Sequence, residues 1–161
     1  MIRVAIITIS DSASAGERED RSGPALAESI TKFGWQVSET KLIPDDFGAI
    51  QAAVMEMANR VLAYHDVIVT TGGTGVAPRD QTPEATRSIA DREVAGFGEL
   101  MRADGAKKTK FSYLSRSTAF TLKQALILNL PGSPKGAVES LEAVAHLIPH
   151  AVDLLHGRTK H

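Results

Sequence analysis

The residues best suited to chemistry in this sequence lie in a glycine-rich segment. Within four residues, Gly72, Gly73 and Gly75 surround Thr74. Glycine permits positive φ angles and a close approach of a ligand to the backbone, and successive amides in such a turn can bind an anion. The segment lacks the Gly-Lys-Ser/Thr sequence of a Walker A loop. A phosphate or polar-ligand site and a tight turn without a ligand are therefore equally good interpretations of the segment.

Asp45 and Asp80 are the acidic residues that could hold a metal ion. Asp45 follows an apolar segment directly, and Asp80 lies between the glycines and the pair Thr82-Pro83. Mg²⁺ commonly takes one or two protein carboxylates together with substrate phosphates and water. Helix capping is the alternative role. Because Asp46 and Thr82 are the better capping residues, we expect the Asp80 carboxylate to have no structural partner.

Further candidate site residues follow predicted strands or precede a predicted hairpin. They are Ser10, Asp11, Ser12, Ser115, Arg116, Pro131, Gly132 and Ser133. Residues 10–12 suit nucleotide contacts, although many solvated loops have this composition. Arg116 could pair bidentately with a phosphate, and an exposed hairpin entry is an equally good interpretation of its position.

The hydrophobic pattern predicts the scaffold that positions these residues. Apolar runs at 4–9, 66–71 and 125–130 show little alternation, which is typical of strands buried on both faces. Helical spacing lies between them, with Ile50, Val54, Met57 and Val61 as one example. Strands alternating with helices predict an α/β fold, in which a mostly parallel sheet forms the middle of three layers, with helices on both faces.

The other predicted elements complete this alternation. We expect a strand at 35–43, strands within 115–130, and helices that begin near Pro24, cover 94–108 and begin after Thr82 as N-cap. The last helix begins near Pro134, with Val138, Leu141, Val144 and Ile148 on one face. Ligands of such sheets bind outside the carboxyl ends of the strands. We therefore expect the polar segments at 10–22, 44–46, 72–82 and 131–134 to meet at that edge.

Composition excludes several classes of protein. The 161 residues include 18 Lys+Arg, 19 Asp+Glu and no cysteine. A net charge of -1 does not favour a nucleic-acid partner, which usually needs a basic surface. No continuous apolar run reaches the ~18 residues of a membrane span, and the absence of cysteine excludes a thiolate nucleophile. We expect one domain over 1–161 in a cytoplasmic protein.

Several ordered motifs also resemble a known family. They are Ser10-Asp11-Ser12, Ile43-Pro44-Asp45, Thr70-Thr71-Gly72-Gly73-Thr74-Gly75, Pro78-Arg79-Asp80 with Thr82-Pro83-Glu84-Ala85-Thr86, Gly96-Phe97-Gly98-Glu99, Leu114-Ser115-Arg116 and Asn129-Leu130-Pro131-Gly132. They resemble the MogA/MoaB family of molybdenum-cofactor biosynthesis proteins, which includes the gephyrin G domain. The resemblance covers about residues 3–155. The stretch 91–102 looks more like the MogA branch than the MoaB branch.

The resemblance implies a fold, a reaction and partners. It implies a molybdopterin-binding fold in a homotrimer, and Mg²⁺-dependent adenylylation of molybdopterin by ATP with release of pyrophosphate. Such a nucleotidyltransferase would pass adenylyl-molybdopterin to a MoeA-like partner that inserts molybdate. A non-catalytic molybdopterin-binding protein of the MoaB type is the alternative.

The resemblance also implies roles for individual residues. Asp45 and Asp80 match the family's essential aspartates, with catalytic and Mg²⁺-binding roles. The implied molybdopterin-binding residues are Gly72, Gly73, Thr74, Gly75, Ser115 and Arg116. The implied nucleotide-binding residues are Ser10, Asp11, Ser12, Pro131, Gly132 and Ser133. Ser133 departs from the family pattern, because many relatives carry Asn or Gln there.

Overall fold

A sheet of six strands organises the residues that the computed structural model describes, 1–60 and 65–159. The strands are β1 (Arg3–Ile9), β2 (Gln36–Ile43), β3 (Val67–Thr71), β4 (Arg92–Glu93), β5 (Thr118–Leu122) and β6 (Ala125–Leu130). Their order across the sheet is β2-β1-β3-β6-β5-β4. β2, β1, β3 and β6 are parallel, whereas β5 and β4 run antiparallel at one edge. The mostly parallel sheet predicted from the sequence is confirmed.

Helices cover both faces of this sheet. They are α1 (Asp11–Ser14), α2 (Ser22–Lys32), α3 (Phe47–Ala58), α4 (Thr82–Arg87), α5 (Ala95–Ala106), α6 (Pro134–Val144) and α7 (Ile148–Leu155), with 3₁₀ helices at Lys110–Leu114 and Ala145–Leu147. One core cluster packs α2, α5, α6 and α7 on the sheet, and the other packs α3 and α4 on the opposite face. Val61, predicted to lie on the α3 face, is outside the described residues.

β1 shows why the apolar runs do not alternate in sequence. Val4 and Ile6 pack into the cluster with α2, while Ala5 and Ile7 pack into the cluster with α3. Successive side chains of a strand point to opposite faces. A strand with helices on both faces therefore buries successive side chains, and the three-layer prediction is confirmed.

Two local expectations about helices are wrong. The predicted last helix ends at Val144, and Ile148 begins α7 after a 3₁₀ turn, with Pro149 in the first turn of α7. Thr82 is the first residue of α4 and not its N-cap. Its hydroxyl group donates to Gly72 O and does not accept from an amide of the helix.

The connections place a crevice above the centre of the sheet. The chain passes from β1 through α2 to β2 on one side, and from β2 through α3 to β3 on the other side of β1. Ligands of open α/β sheets bind where the strand order reverses in this way. The carboxyl ends of β1 and β3 therefore define the candidate site. Among the described residues, no helix combines the length and apolar character that crossing a membrane requires.

Candidate active site

The glycine-rich loop after β3 contacts the end of β1 and the start of α4. Gly72 and Gly73 have φ angles of 113° and 70°. An ideal Cβ atom on Gly72 would lie 2.3 Å from Ile9 O, and one on Gly73 would lie 2.2 Å from Thr82 Oγ1. A side chain at either position would collide with its neighbour. Glycine is thus required both by the backbone conformation and by the close packing of the three segments.

The carbonyl groups of this loop are all bonded within the protein. Thr82 Oγ1 donates to Gly72 O at 2.8 Å, and Thr82 N donates to Gly73 O at 3.1 Å. Arg116 N donates to Thr74 O at 2.8 Å, and Arg116 Nε donates to Gly75 O at 2.7 Å. The loop is therefore fixed through its acceptors.

Three amide groups of the same loop, in contrast to its carbonyl groups, have no hydrogen-bond partner in the described part of the chain. Gly72 N donates to Leu130 O at 3.1 Å, but within 1–60 and 65–159 the N–H groups of Gly73, Thr74 and Gly75 have no protein acceptor. Successive free amides in a glycine-rich turn form an anion-binding surface. The geometry favours the ligand site over a turn without a ligand, the alternative that the sequence left open.

A buried polar chain lies beneath the loop. Asn129 Nδ2 donates to Thr70 Oγ1 at 3.0 Å and to Thr86 Oγ1 at 3.2 Å. Thr86 Oγ1 donates in turn to Thr82 O at 2.8 Å. These side chains belong to residues that are almost completely buried. They join β3, β6 and α4 directly below the loop.

Asp45 brings a partly desolvated carboxylate to the loop. Its Oδ1 atom is buried and has no hydrogen-bond partner among the described residues, and an ideal Cβ atom on Gly73 would lie 3.5 Å from it. Burial raises the pKa of Asp45 above its ordinary value, and the charges of Asp11 and Asp80 add to this effect, while Arg79 opposes it. An unpartnered buried carboxylate oxygen is suited to bind a cation.

Asp11 and Arg79 form a bridge beside Asp45. Asp45 N donates to Asp11 Oδ1 at 3.0 Å, and Arg79 Nη2 donates to Asp11 Oδ2 at 2.6 Å. Arg79 Nη2 also donates to Asp45 O at 3.2 Å. The bridge holds the loops after β1, β2 and β3 together. Asp11, a predicted nucleotide contact, thus binds protein groups in this structure.

The expectation that Asp80 has no structural partner is wrong. Asp80 Oδ2 accepts a hydrogen bond from Ala77 N at 3.0 Å, because the loop turns back on itself between these residues. An ideal Cβ atom on Gly75 would lie 2.7 Å from Asp80 Oδ2. Asp80 therefore closes the end of the glycine-rich loop and also contributes negative charge near Asp45.

Ser115 and Arg116 lie on the other side of the loop. Ser115 Oγ donates to Ser117 Oγ at 2.9 Å, and Arg102 Nη1 donates to Ser115 O at 3.3 Å and to Ser117 O at 2.7 Å. Arg102 was not among the residues singled out from the sequence. Its position in the regular pattern of α5 gives no signal of this contact, which depends on the packing of α5 against β5.

The predicted nucleotide-binding residues are only partly brought together. Ser10 and Ser133 cap α1 and α6, accepting from Ala13 N and Gly136 N. A cavity of about 390 Å³ is lined by, among others, Ser10, Gly72, Gly73, Gly132 and Ser133. A separate cavity of about 260 Å³ is lined by Ser115, Pro131, Met101 and Phe111, with others. Asp11 and Ser12 line neither cavity.

The carboxylates near the loop fit a metal ion that takes further ligands from a substrate. No group of three or more Asp, Glu or His residues in the described part of the chain could hold a metal by itself. The unpartnered Asp45 Oδ1 and the nearby Asp80 charge nonetheless supply the oxygen ligands that Mg²⁺ prefers. Mg²⁺ is usually held by one or two carboxylates plus phosphates and water.

Known proteins resemble this chain over nearly its whole length. Residues 5–150 match the family described as "Probable molybdopterin binding domain". The molybdopterin adenylyltransferase of Escherichia coli K12 is 39% identical over 170 residues, which cover 97% of this chain and 86% of the relative. The molybdopterin adenylyltransferase of Helicobacter pylori J99 is 40% identical over 158 residues, covering 97% and 89%.

A solved structure shows the same fold. The molybdopterin biosynthesis enzyme MoaB of Thermus thermophilus superimposes with a TM-score of 0.90 at 48% identity, covering 98% of each chain. The fold class expected from the sequence is thereby confirmed.

Proposed function

The chain belongs to the molybdopterin-binding domain family, and from this premise we propose that it is a molybdopterin adenylyltransferase of molybdenum-cofactor biosynthesis. The observation that carries the proposal is the row of free amides at Gly73, Thr74 and Gly75 beside the unpartnered Asp45 carboxylate. Amides suit phosphate oxygens, and a carboxylate beside phosphates requires a cation between them. A site of this kind suits the joining of two phosphorylated substrates.

The proposed reaction transfers AMP to molybdopterin. An oxygen of the terminal phosphate of molybdopterin forms a bond to the α-phosphorus of ATP. The bond from that phosphorus to the oxygen bridging to the β-phosphate breaks, and pyrophosphate leaves with its electron pair. Transfers of this kind depend mainly on positioning and charge neutralisation. The fixed loop carbonyls and outward amides supply the positioning.

Asp45 and Asp80 would hold Mg²⁺ in this proposal. The ion, when bound, offsets the negative charge on the phosphates and on the leaving group. The protein contributes a carboxylate oxygen that is available to the ion, because Asp45 Oδ1 is buried and has no hydrogen-bond partner among the described residues. A cation would stabilise its ionised form and reverse the rise in its pKa that burial causes.

The two cavities support separate places for the substrates. We assign ATP to the cavity lined by Ser10, Gly132 and Ser133, and the resemblance adds Asp11, Ser12 and Pro131 to the nucleotide side. Molybdopterin would contact the 72–75 loop and Ser115. The loop glycines Gly72 and Gly73 also line the nucleotide cavity, so the substrates would meet at the loop.

The family resemblance further supports a cytoplasmic homotrimer that passes its product to a MoeA-like insertion protein. Sedimentation equilibrium of the purified protein tests the assembly. We expect a mass about three times the 17.2 kDa of the chain. A mass equal to that of one chain would remove this part of the proposal.

Adenylyl transfer by the purified protein tests the activity. We expect ATP to be consumed only when molybdopterin is present, with one pyrophosphate released per adenylyl-molybdopterin. Binding of molybdopterin without consumption of ATP would favour the non-catalytic MoaB-type alternative. Absence of molybdopterin binding would overturn both.

Asp80→Asn tests the metal assignment. The amide oxygen of Asn can still accept from Ala77 N, so the loop should keep its shape. We expect turnover to fall by about 100-fold or more, because metal charge stabilisation contributes several kcal/mol, while molybdopterin binding stays within about twofold. Unchanged turnover would show that Asp80 holds no metal.

A further inference from the structure

The direction of each amide in the glycine-rich loop follows from the carbonyl that precedes it. In a trans peptide group the C=O of one residue and the N–H of the next lie in one plane and point in opposite directions. No peptide bond of the described chain is cis. Fixing the carbonyl of Gly72 therefore fixes the opposite direction for the N–H of Gly73. The same relation holds along the loop.

Two residues fix four consecutive carbonyl groups in this way. Thr82 holds Gly72 O through its hydroxyl group and Gly73 O through its backbone N–H. Arg116 holds Thr74 O through its backbone N–H and Gly75 O through Nε. The amides that face away from these bonds belong to residues 73–76. Three of them, at Gly73, Thr74 and Gly75, are the free amides of the proposed site, and the fourth, Val76 N–H, likewise has no protein acceptor among the described residues.

Each nitrogen atom of the Arg116 guanidinium group contacts a group of the protein. Its Nε donates to Gly75 O at 2.7 Å, its Nη2 donates to Asp80 O at 2.7 Å, and its Nη1 forms an ion pair with Glu84. Nε has a single N–H group, so bidentate pairing of a phosphate through Nε would require breaking the bond to Gly75 O. The same guanidinium group thus ties the loop, the Asp80 backbone and α4 together.

We propose that Thr82 and Arg116 are positioning residues that aim the amides of the glycine-rich loop, and that Arg116 acts on the loop and not as a phosphate ligand. Thr82 acts at one end of the row and Arg116 at the other. The role deepens the proposed adenylyl transfer and rests on it for its catalytic consequence. The orientation of the amides can be measured without any substrate.

The buried chain below the loop supports the role of Thr82. Thr82 O accepts from Thr86 Oγ1, which accepts from Asn129 Nδ2. Thr82 is therefore held from below by groups on β6 and α4, while its hydroxyl group and amide hold the loop above. Thr82 is completely buried, so its hydroxyl group does not contact solvent.

Residual dipolar couplings test the orientation directly, because they report the direction of each N–H bond in the ligand-free protein. Thr82→Val removes only the bond to Gly72 O, so we expect the coupling of Gly73 N–H to change and that of Thr74 N–H to stay. Arg116→Lys removes the bond to Gly75 O, so we expect the coupling of Val76 N–H to change and that of Gly75 N–H to stay. Unchanged couplings in both variants would overturn the inference.

Turnover provides the second measurement. A misplacement of about 1 Å at a reacting group can cost about 100-fold in rate. We expect both variants to lose about tenfold to 100-fold in kcat, with the KM for ATP changed by less than about threefold. Thr82→Ser keeps the hydroxyl group and should restore both kcat and the Gly73 coupling. A phosphate ligand at position 116 would instead give Arg116→Lys a raised KM and unchanged couplings.

Matched controls separate these effects from a general loss of stability. Arg87 lies on α4, as Thr82 does, and its side chain pairs with Glu93 away from the glycine-rich loop. Arg87→Lys should therefore leave kcat and the couplings unchanged. Thr121→Val removes a buried hydroxyl group that has no partner in the described chain. If the wild-type protein shows no adenylyl transfer, the proposed function fails, while the couplings still decide the positioning role.

Discussion

At the scale of single residues, the partly buried carboxylate of Asp45 has an altered pKa. Burial, followed by the charges of Asp11 and Asp80, raises its pKa above the ordinary value near 3.8. The folded protein therefore holds this proton more tightly than the unfolded chain does. The contribution of Asp45 to stability is most favourable below the unfolded pKa and is lost as pH rises through the folded pKa.

Asp45→Asn tests this dependence. The amide cannot ionise, so we expect the variant to be more stable than the wild-type protein at pH 7. The difference should shrink as pH falls through the folded pKa of Asp45 towards 3.8. Urea denaturation between pH 4 and pH 7 measures the effect, with the exposed Glu17→Gln as control. A variant less stable than the wild type at pH 7 would contradict the assigned environment.

Gly72 shows how one backbone position sets the distance between the glycine-rich loop and the end of β1. In Gly72→Ala the new Cβ atom would lie 2.3 Å from Ile9 O, at a φ angle of 113°. We expect a loss of more than about 3 kcal/mol of stability from strain and overlap together, and loss of turnover. Thermal and urea denaturation measure the loss of stability, and the adenylyl-transfer assay measures the loss of turnover.

Gly16→Ala is the matched control for this change. Gly16 also has a positive φ angle, 75°, but nothing lies within 4 Å of its ideal Cβ position. Only the backbone conformation opposes the substitution, which should cost about 1–2 kcal/mol and leave turnover unchanged. Equal losses in the two variants would show that contact with β1 does not matter.

At the scale of elements, Asn129 joins β6 to β3 and α4. In Asn129→Val the hydroxyl groups of Thr70 and Thr86 lose their buried partner, which should cost about 2 kcal/mol. The melting temperature of a chain this long should fall by about 4–8 °C. Thr121→Val, which removes a hydroxyl group without a partner, should change it by less than about 2 °C. Equal shifts would contradict the role of the chain of hydrogen bonds.

The sequence predicted the elements whose signals are local, and it failed where a side chain acts at a distance. The buried strands and the capping role of Asp46 follow from runs and spacing, and Ala49 N does donate to Asp46 Oδ2 at 2.8 Å. Thr82 is of a residue type that favours the N-cap position, but its hydroxyl group donates to Gly72 O in the loop. A contact made 10 residues away leaves no trace in local spacing.

In the candidate site, too, features with local sequence signals were predicted and contacts between distant residues were not. Glycine spacing indicated the loop, and the edge rule for parallel sheets indicated where it would lie. Residue type and spacing left phosphate pairing and an exposed hairpin entry as alternatives for Arg116, and gave no sign of its bonds to Gly75, Asp80 and Glu84. A side chain's type states which groups it can bind. Only the fold decides which of them lie within reach.

At the scale of the whole molecule, ligand binding should stabilise the fold by mass action. Saturation with Mg-ATP at 100 times its Kd should add about 2.7 kcal/mol to the free energy of unfolding. We expect a higher melting temperature with Mg-ATP than with ATP and EDTA, and no such difference in Asp80→Asn. An identical shift with and without the metal would contradict a cation shared between protein and phosphates.

The place of β6 in the sheet has a consequence for biosynthesis of the chain. β6 lies between β3 and β5, although residues 125–130 leave the ribosome after all the other strands. Until then, β3 exposes an unpaired edge, which is a template for pairing with other chains. We expect the interval between synthesis of β3 and β6 to be the period of greatest exposure to aggregation and of greatest need for chaperones.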